Sequence, residues 1–326
     1  MTQRDPVCQP RYRARAKRPT LDNIMTPPTT VPNSTPASVL IEPHGLAELL
    51  AQQQFSPHRR LRLLDVRWRL DIPEGRPDYI RGHLPGAVYV DLERELAQRS
   101  NPASGRHPVP ATARLERAAR GWGLRPGDIV VAYDDISGVA AARLWWLLRR
   151  TGVDVRVLNG GLTAWVLEGL PIEHGDVRPP RGTIHLTAPT GDDELTADTV
   201  EEYARTGIVI DARSPEHYSG QRAHPDPLGG HIPGAINLPT LAHIDSNGRM
   251  NAQHWLRRTF SQVGITPGSE VGIYCGSGIA SAHTALALHS IGVASRIYTG
   301  SWSQWAHLRG RYIATGILPY GSLQPL

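Results

Sequence analysis

The chain has 326 residues, 40% of them hydrophobic, which is enough for two ordinary domains that each bury a core. Its two cysteines, Cys8 and Cys275, lie far apart without companions; this excludes a disulfide framework and a thiolate metal site and points to a reducing, cytoplasmic setting. The formal charge of +5 is accounted for by Arg4, Arg11, Arg13, Arg15, Lys17 and Arg18 against Asp5 alone, so the remainder is neutral and no nucleic-acid partner is implied.

Residues 1–37 are rich in Pro, Thr and Arg, have no apolar period, and are expected to be a disordered basic tail. The tail lacks the apolar core of a secretory signal, and Pro6, Pro10, Pro19, Pro27 and Pro28 oppose a targeting helix. No apolar run is long enough to span a membrane, so a membrane partner is not expected. From there, short apolar runs alternate with helical patterns. Strands are expected at Leu61 to Val66, Ile129 to Tyr133, Val155 to Leu158, Ile208 to Asp211, Glu270 to Tyr274 and Ser295 to Tyr298. Helices are expected at Gly45 to Gln52, Leu115 to Trp122, Val139 to Arg149, Ala197 to Arg205, Ala252 to Val263 and Ile279 to Ile291. This alternation implies the α/β class, with parallel sheets flanked by helices. A Pro/Gly-rich linker over 177–195 separates a first domain (38–176) from a second (196–322).

The two halves repeat. Leu64-Asp65-Val66-Arg67 returns as Ile210-Asp211-Ala212-Arg213, and Gly82-His83-Leu84-Pro85-Gly86-Ala87 returns as Gly230-His231-Ile232-Pro233-Gly234-Ala235. Val131-Ala132-Tyr133 matches Gly272-Ile273-Tyr274, and Trp165 matches Trp305, all in one order. The chain is a tandem duplication.

In such sheets ligands sit beyond the carboxyl ends of strands. Cys275 stands at a strand tip and is followed by Gly276-Ser277-Gly278-Ile279-Ala280 and a helix. Glycines let backbone N–H groups turn inward, and the helix adds the positive end of its dipole. Such a cradle favours a thiolate and, after sulfur capture, a persulfide anion; the competing reading is a cysteine packed as a small hydrophobe. Alignment on Tyr133 and Tyr274 puts Asp134 at the Cys275 position in a loop one residue longer, so only the second half is expected to be catalytic. Arg67 and Arg213, at equivalent strand ends, are expected to organise loops. Trp165 at the place of Trp305 favours packing for both, while Trp302 faces Leu162 in the alignment and is left open to a pocket role.

These paired signatures, the loop Cys275-Gly-Ser-Gly-Ile-Ala and the segment Tyr298-Thr-Gly-Ser-Trp-Ser-Gln-Trp305 resemble the tandem rhodanese-domain sulfurtransferases, which act on thiosulfate or 3-mercaptopyruvate. The resemblance implies two rhodanese folds, a silent first domain and a catalytic second one. Its Cys-Gly-Ser-Gly loop is similar to that of the mercaptopyruvate group, whereas Cys-Arg-Lys marks thiosulfate-preferring members. It implies attack of Cys275 on the donor sulfur, release of pyruvate, and transfer to cyanide or to a thiol acceptor such as a thioredoxin-like protein. Ser277 is then the implied proton relay, polarised by His83 and by an acidic residue that Asp71, Glu74 and Asp78 leave undecided; His83 reads equally well as a turn residue bonding its own loop. The arginines that grip the substrate carboxylate in that group are missing here. His217 stands at the first position, the second falls near Asp226, and Arg222 is the nearby candidate substitute.

A phosphatase with a related loop needs an arginine six residues after the cysteine, where this chain has Ser281. The histidines show no metal-ligand spacing, and no cofactor or metal is expected. The remaining rival is a non-enzymatic sulfur carrier or binding module fed by a protein persulfide donor.

Overall fold

A computed structural model describes residues 38–53 and 60–326; the basic tail, with Cys8, lies outside the described residues. The first half runs β1 (Leu40–Ile41), α1 (Pro43–Gln53), β2 (Leu61–Asp65), α2 (Arg76–Arg81), β3 (Val88–Tyr89), α3 (Leu92–Glu95), α4 (Thr112–Gly121), β4 (Ile129–Tyr133), α5 (Val139–Arg149), β5 (Asp154–Leu158) and α6 (Gly161–Leu167). The second runs β6 (Glu194–Leu195), α7 (Ala197–Thr206), β7 (Ile208–Asp211), α8 (Pro215–Ser219), β8 (Ile236–Asn237), a 3₁₀ turn at Thr240–His243, α9 (Gln253–Ser261), β9 (Val271–Tyr274), α10 (Ala280–Ser290), β10 (Ser295–Tyr298) and α11 (Ser301–Trp305). An antiparallel hairpin, β11 (Tyr312–Thr315) with β12 (Ser322–Pro325), closes the chain beyond the expected boundary at 322.

Each half holds one five-stranded parallel sheet, in the order β1-β5-β4-β2-β3 and then β6-β10-β9-β7-β8. The orders are identical, strand for strand, as the duplication requires. β2 pairs with β4 from Leu61↔Ile129 to Asp65↔Tyr133, and β7 with β9 from Ile208↔Val271 to Asp211↔Tyr274. Parallel strands are covered on both faces, which is why β4 reads Ile-Val-Val-Ala-Tyr without alternation. The strongest strands and helices fall where the sequence puts them; the two-residue edge strands do not, being too short to show a period.

α5 and α10 pack against each other across the middle of the molecule, and α10 is buried from Ser281 to Leu288, since sheet lies on one side and α5 on the other. One apolar cluster accordingly runs through both halves, joining Trp145, Trp146 and Val157 to Ile273, Leu286 and Ile291. The expected linker is partly structured. Gly182 and Thr183 bond to Arg120 and Leu124, Ile184 and Leu186 enter the core, and Glu194 and Leu195 form the edge strand of the second sheet.

Candidate active site

Register places Tyr133 and Tyr274 at the carboxyl ends of the central strands, and the next residue in each half, Asp134 or Cys275, opens the loop into the central helix. Cys275 is a free cysteine, 2% exposed. The backbone N–H of Gly278 points at its Sγ at 3.1 Å, and Sγ lies 3.7 Å from Ser281 Oγ. Gly278 has φ +82°, and a Cβ there would meet the Thr299 carbonyl oxygen at 2.6 Å, so this turn needs glycine twice over. The main chain of Cys275 is pinned from behind: its N–H donates to Ser301 Oγ at 3.2 Å, and its carbonyl accepts from Trp302 N–H at 2.9 Å. Ser301 itself sits at φ +53°, in the left-handed region that L-residues avoid.

The first half shows what this loop is built to hold. The Asp134 carboxylate, wholly buried, accepts four backbone N–H bonds, from Ile136 and Gly138 on Oδ1 and from Ala140 and Ala141 on Oδ2, all between 2.8 and 2.9 Å. It is an anion cradle permanently filled by a side chain of its own loop. In the second half the corresponding loop, one residue shorter, presents a thiol that takes the Gly278 N–H, and no carboxylate receives the first-turn N–H groups of α10.

The first half also reaches over the loop. Arg143 on α5, 0% exposed, donates from Nη1 to the Gly278 carbonyl at 3.2 Å and from Nη2 to the carbonyls of His107 at 3.0 Å and Leu96 at 3.4 Å. Burial pulls its guanidinium down to about 10, against the opposing influence of Glu194 and of Cys275. Arg106 ion-pairs with Asp226, its N–H donates to Ser303 Oγ at 3.0 Å, and its Nη2 lies 2.9 Å from where a Cβ on Gly276 would be. Gln304 Nε2 bonds the Ala103 carbonyl at 2.5 Å, so the segment 101–107 is strapped across the site.

Of the residues singled out in the sequence, Gly276, Ser277, Gly278, Ile279 and Ala280 follow Cys275 in the loop and the start of α10, and Ile279 sends its side chain into the core. Ser277 is 7% exposed, and its hydroxyl has no hydrogen-bond partner among the described residues. The expected relay through His83 is not assembled. His83 is wholly buried in its own domain, stacked on Tyr79 at 4.2 Å with Nδ1 on the Tyr79 carbonyl at 2.9 Å. His231 does the same in the second half, stacked on Tyr218 at 3.7 Å with Nδ1 on the Tyr218 carbonyl at 2.8 Å. The shared stack and Nδ1 bond serve the fold, while Nε2 differs: in His231 it lies on the carbonyls of Leu318 and Pro319, and in His83 it has no hydrogen-bond partner among the described residues. None of the acidic candidates is bonded to it: Asp78 pairs with Arg69 and Arg81, Glu74 Oε1 accepts from the Arg76 N–H, and Asp71 is exposed. His217 is likewise occupied, with Nδ1 on Ser214 Oγ and Nε2 on the His224 carbonyl, while Arg222 is exposed on the same loop.

Arg67 binds Asp65 and the Gly82 carbonyl, and Arg213 binds Asp211 and the Gly230 carbonyl, so both tie strand ends to the Gly-His turns. Trp165 and Trp305 are buried with their indole N–H groups on the carbonyls of Pro171 and Tyr312. Trp302 is 0% exposed, bonded to the Leu228 carbonyl and covered by Arg213 at 4.4 Å, which makes it packing beneath the loop and not a pocket wall.

Three residues went unread. Arg143 had a signal, a lone guanidinium inside Val-Ala-Ala-Ala-Arg-Leu-Trp-Trp, where burial demands a reason. Ser301 had one too, since Gly161 holds its place in the other repeat at φ +56°. Arg106 had none, because its position depends on how the halves dock.

The profile of the rhodanese-like domain matches the chain twice, over residues 43–168 and 195–308. The chain is 40% identical over 261 residues to the putative thiosulfate sulfurtransferase SseB of Mycobacterium tuberculosis, covering 78% of this chain and 90% of that one. It is 37% identical over 283 residues to a probable 3-mercaptopyruvate sulfurtransferase of Pseudomonas aeruginosa, covering 83% and 99%. The solved 3-mercaptopyruvate sulfurtransferase of Leishmania major superposes with a TM-score of 0.72 at 27% identity, over 84% of this chain and 75% of that one.

Proposed function

Since the chain belongs to the rhodanese-like domain family and is a sulfurtransferase, we propose that Cys275 is the residue that carries its sulfur. The observation behind this is the pair of equivalent loops: one closes on the Asp134 carboxylate with four N–H bonds, and its copy presents a thiol at the same strand tip. By that analogy the N–H groups of Ala280 and Ser281, counterparts of Ala140 and Ala141, receive the terminal sulfur of a persulfide.

The Cys275 thiolate attacks the sulfur of 3-mercaptopyruvate, an S–S bond forms, and the C–S bond breaks with its electron pair left on carbon as the pyruvate enolate. The proton from the donor's thiol group moves to that carbon, giving pyruvate and the Cys275 persulfide anion. An uncommitted hydroxyl two residues from Cys275 supports Ser277 as the relay for that proton. With thiosulfate the same attack releases sulfite and needs no proton. A loop opening with Gly276 and Ser277 offers no cationic side chain of its own, which supports 3-mercaptopyruvate as the preferred donor, and Arg106, beside Gly276, is the candidate cation for its carboxylate. The persulfide then passes to cyanide or to a small or protein thiol. A sulfur-carrying thiol that must stay reduced between turnovers accords with a cytoplasmic setting; among the described residues no helix is long and apolar enough to cross a membrane.

The test is sulfur transfer from 3-mercaptopyruvate and from thiosulfate in parallel, with Cys275→Ser as control. The proposal expects turnover with a mercaptopyruvate preference, abolished by the substitution. Turnover that survives Cys275→Ser sinks it, and a Cys275 that is alkylated but unserved by either donor makes the chain a carrier fed by a protein persulfide.

A further inference from the structure

We infer that Arg143, contributed by the half that lacks a nucleophile, is the counter-ion of the Cys275 sulfur, a positioning residue that holds negative charge on the thiolate and on the persulfide. The inference rests on Cys275 being the sulfur carrier, and it assigns to the first half a chemical duty at a site in the second.

A guanidinium cannot shed its charge and is seldom buried without an anion. Arg143 is 0% exposed, yet its hydrogen-bond partners are three main-chain carbonyls, Gly278, His107 and Leu96, and its Nε has none. Carbonyl dipoles solvate a cation but do not neutralise it. The charged groups around it are spent on one another. Glu194 is paired with Arg150 at 3.0 Å and accepts from Thr299 Oγ1; Arg150 also holds Asp193 at 2.8 Å. The His107 ring is on Glu93 at 2.9 Å, Arg106 is on Asp226, and His283 Nε2 is on the Ser137 carbonyl at 3.1 Å. The sulfur of Cys275 is the group left to carry the balancing charge.

Geometry links the two. Gly278 gives its N–H to Sγ at 3.1 Å and its carbonyl to Arg143 Nη1 at 3.2 Å, so a single residue of the loop bridges the sulfur and the guanidinium. The low dielectric of a wholly buried site makes such a charge felt at the sulfur more than a surface lysine would be. When sulfur is captured, the negative charge moves one atom outward, while Arg143 stays fixed by the carbonyls of Leu96 and His107; the cation therefore serves both states without moving.

The experiment follows the rate of Cys275 alkylation by iodoacetamide against pH, in a Cys8→Ser background, for the parent, Arg143→Gln and Arg143→Lys, together with single-turnover persulfide formation. The expected result is a midpoint raised by one pH unit or more in Arg143→Gln, with persulfide formation at pH 7 slowed tenfold or more, and a midpoint within half a unit of the parent in Arg143→Lys. A midpoint unmoved in Arg143→Gln, or moved equally in both variants, overturns the inference, because shape and not charge is then what matters. Should Arg143→Gln fail to fold, the melting temperatures of the parent and Cys275→Ser decide: the gap between them is expected to widen in the parent's favour from pH 5 to pH 9, and a constant gap overturns the inference. A parent whose Cys275→Ser variant still transfers sulfur refutes the underlying assignment of Cys275 and leaves a distinct signature, activity without the thiol.

Discussion

Asp134 and Cys275 stand at the same point of two copies of one loop: Leu162 N–H donates to the Asp134 carbonyl at 2.8 Å, and Trp302 N–H donates to the Cys275 carbonyl at 2.9 Å. The anchor at the strand tip is therefore shared, and what differs is the length of the loop and the group it receives, a carboxylate or a sulfur that comes and goes.

Asp134→Asn should separate stability from catalysis. An amide offers one oxygen where the carboxylate offers two, and its NH₂ turns donors toward donors, so at least two buried N–H groups lose partners at a cost of roughly 2–4 kcal/mol. The expected outcome is a lower denaturant midpoint with turnover per folded molecule unchanged within about twofold. A large loss of turnover without loss of stability would mean that the first loop acts in the chemistry.

Ser301 combines a hydroxyl that caps the Cys275 N–H with a left-handed φ of +53°. Ser301→Ala keeps the strain and loses the acceptor, whereas Ser301→Gly loses the acceptor but relieves the strain, worth about 1 kcal/mol. Both variants should transfer sulfur several-fold more slowly, with the glycine variant melting higher than the alanine variant. Equal activity to the parent in either would show that the hydroxyl does not set the position of Cys275.

Arg106→Gln should act on donor binding. The Asp226 side chain is 3% exposed, so removing its partner leaves a buried carboxylate alone and costs on the order of 3 kcal/mol. The expected kinetic signature is KM for 3-mercaptopyruvate raised about tenfold with kcat within threefold, and partial recovery in Arg106→Lys. If KM holds while stability falls, the guanidinium serves the interface only.

His243 and His283 predict how the protein fails in acid. Burial holds His243 at about 3 and His283 at about 4, both below the ordinary value near 6.5, and neither ring nitrogen of His243 has a partner. Below pH 6.5 the unfolded chain takes up protons that the folded one refuses. Stability is thus fully present above 6.5 and is lost as pH falls through about 4 and then about 3, at up to ~1.4 kcal/mol per pH unit for each ring. His243→Phe, which keeps the stacking on Phe260 seen at 4.9 Å, should flatten that acid limb in melts recorded from pH 7 to pH 4. An unchanged limb would place the acid sensitivity elsewhere.

The sequence carried the duplication, the α/β class and six strands of the two parallel sheets, because each is written in patterns several residues long, but not the closing hairpin of β11 and β12. Strands of two residues, such as Val88–Tyr89, hold no period and emerge only from pairing with a neighbour. At the site, Cys275 and its glycine loop were readable because they are contiguous. For His83 the sequence left a relay and a turn residue bonding its own loop equally open; its hexamer recurs around His231, and the two rings make matching stacks inside their own domains, which fits the second reading. Arg106 and Arg143 reach the loop from another domain, so their roles depend on docking, which no local pattern encodes.

The apolar cluster that passes from Trp145 on α5 to Leu286 on α10 ties the fate of one half to the other. A gene cut at the linker would yield two fragments, each displaying a greasy face that its partner now conceals, and each prone to clump before it could meet the other. Heating should therefore melt the pair as one cooperative unit, and the duplication, once its products had fused their interiors, could no longer be undone.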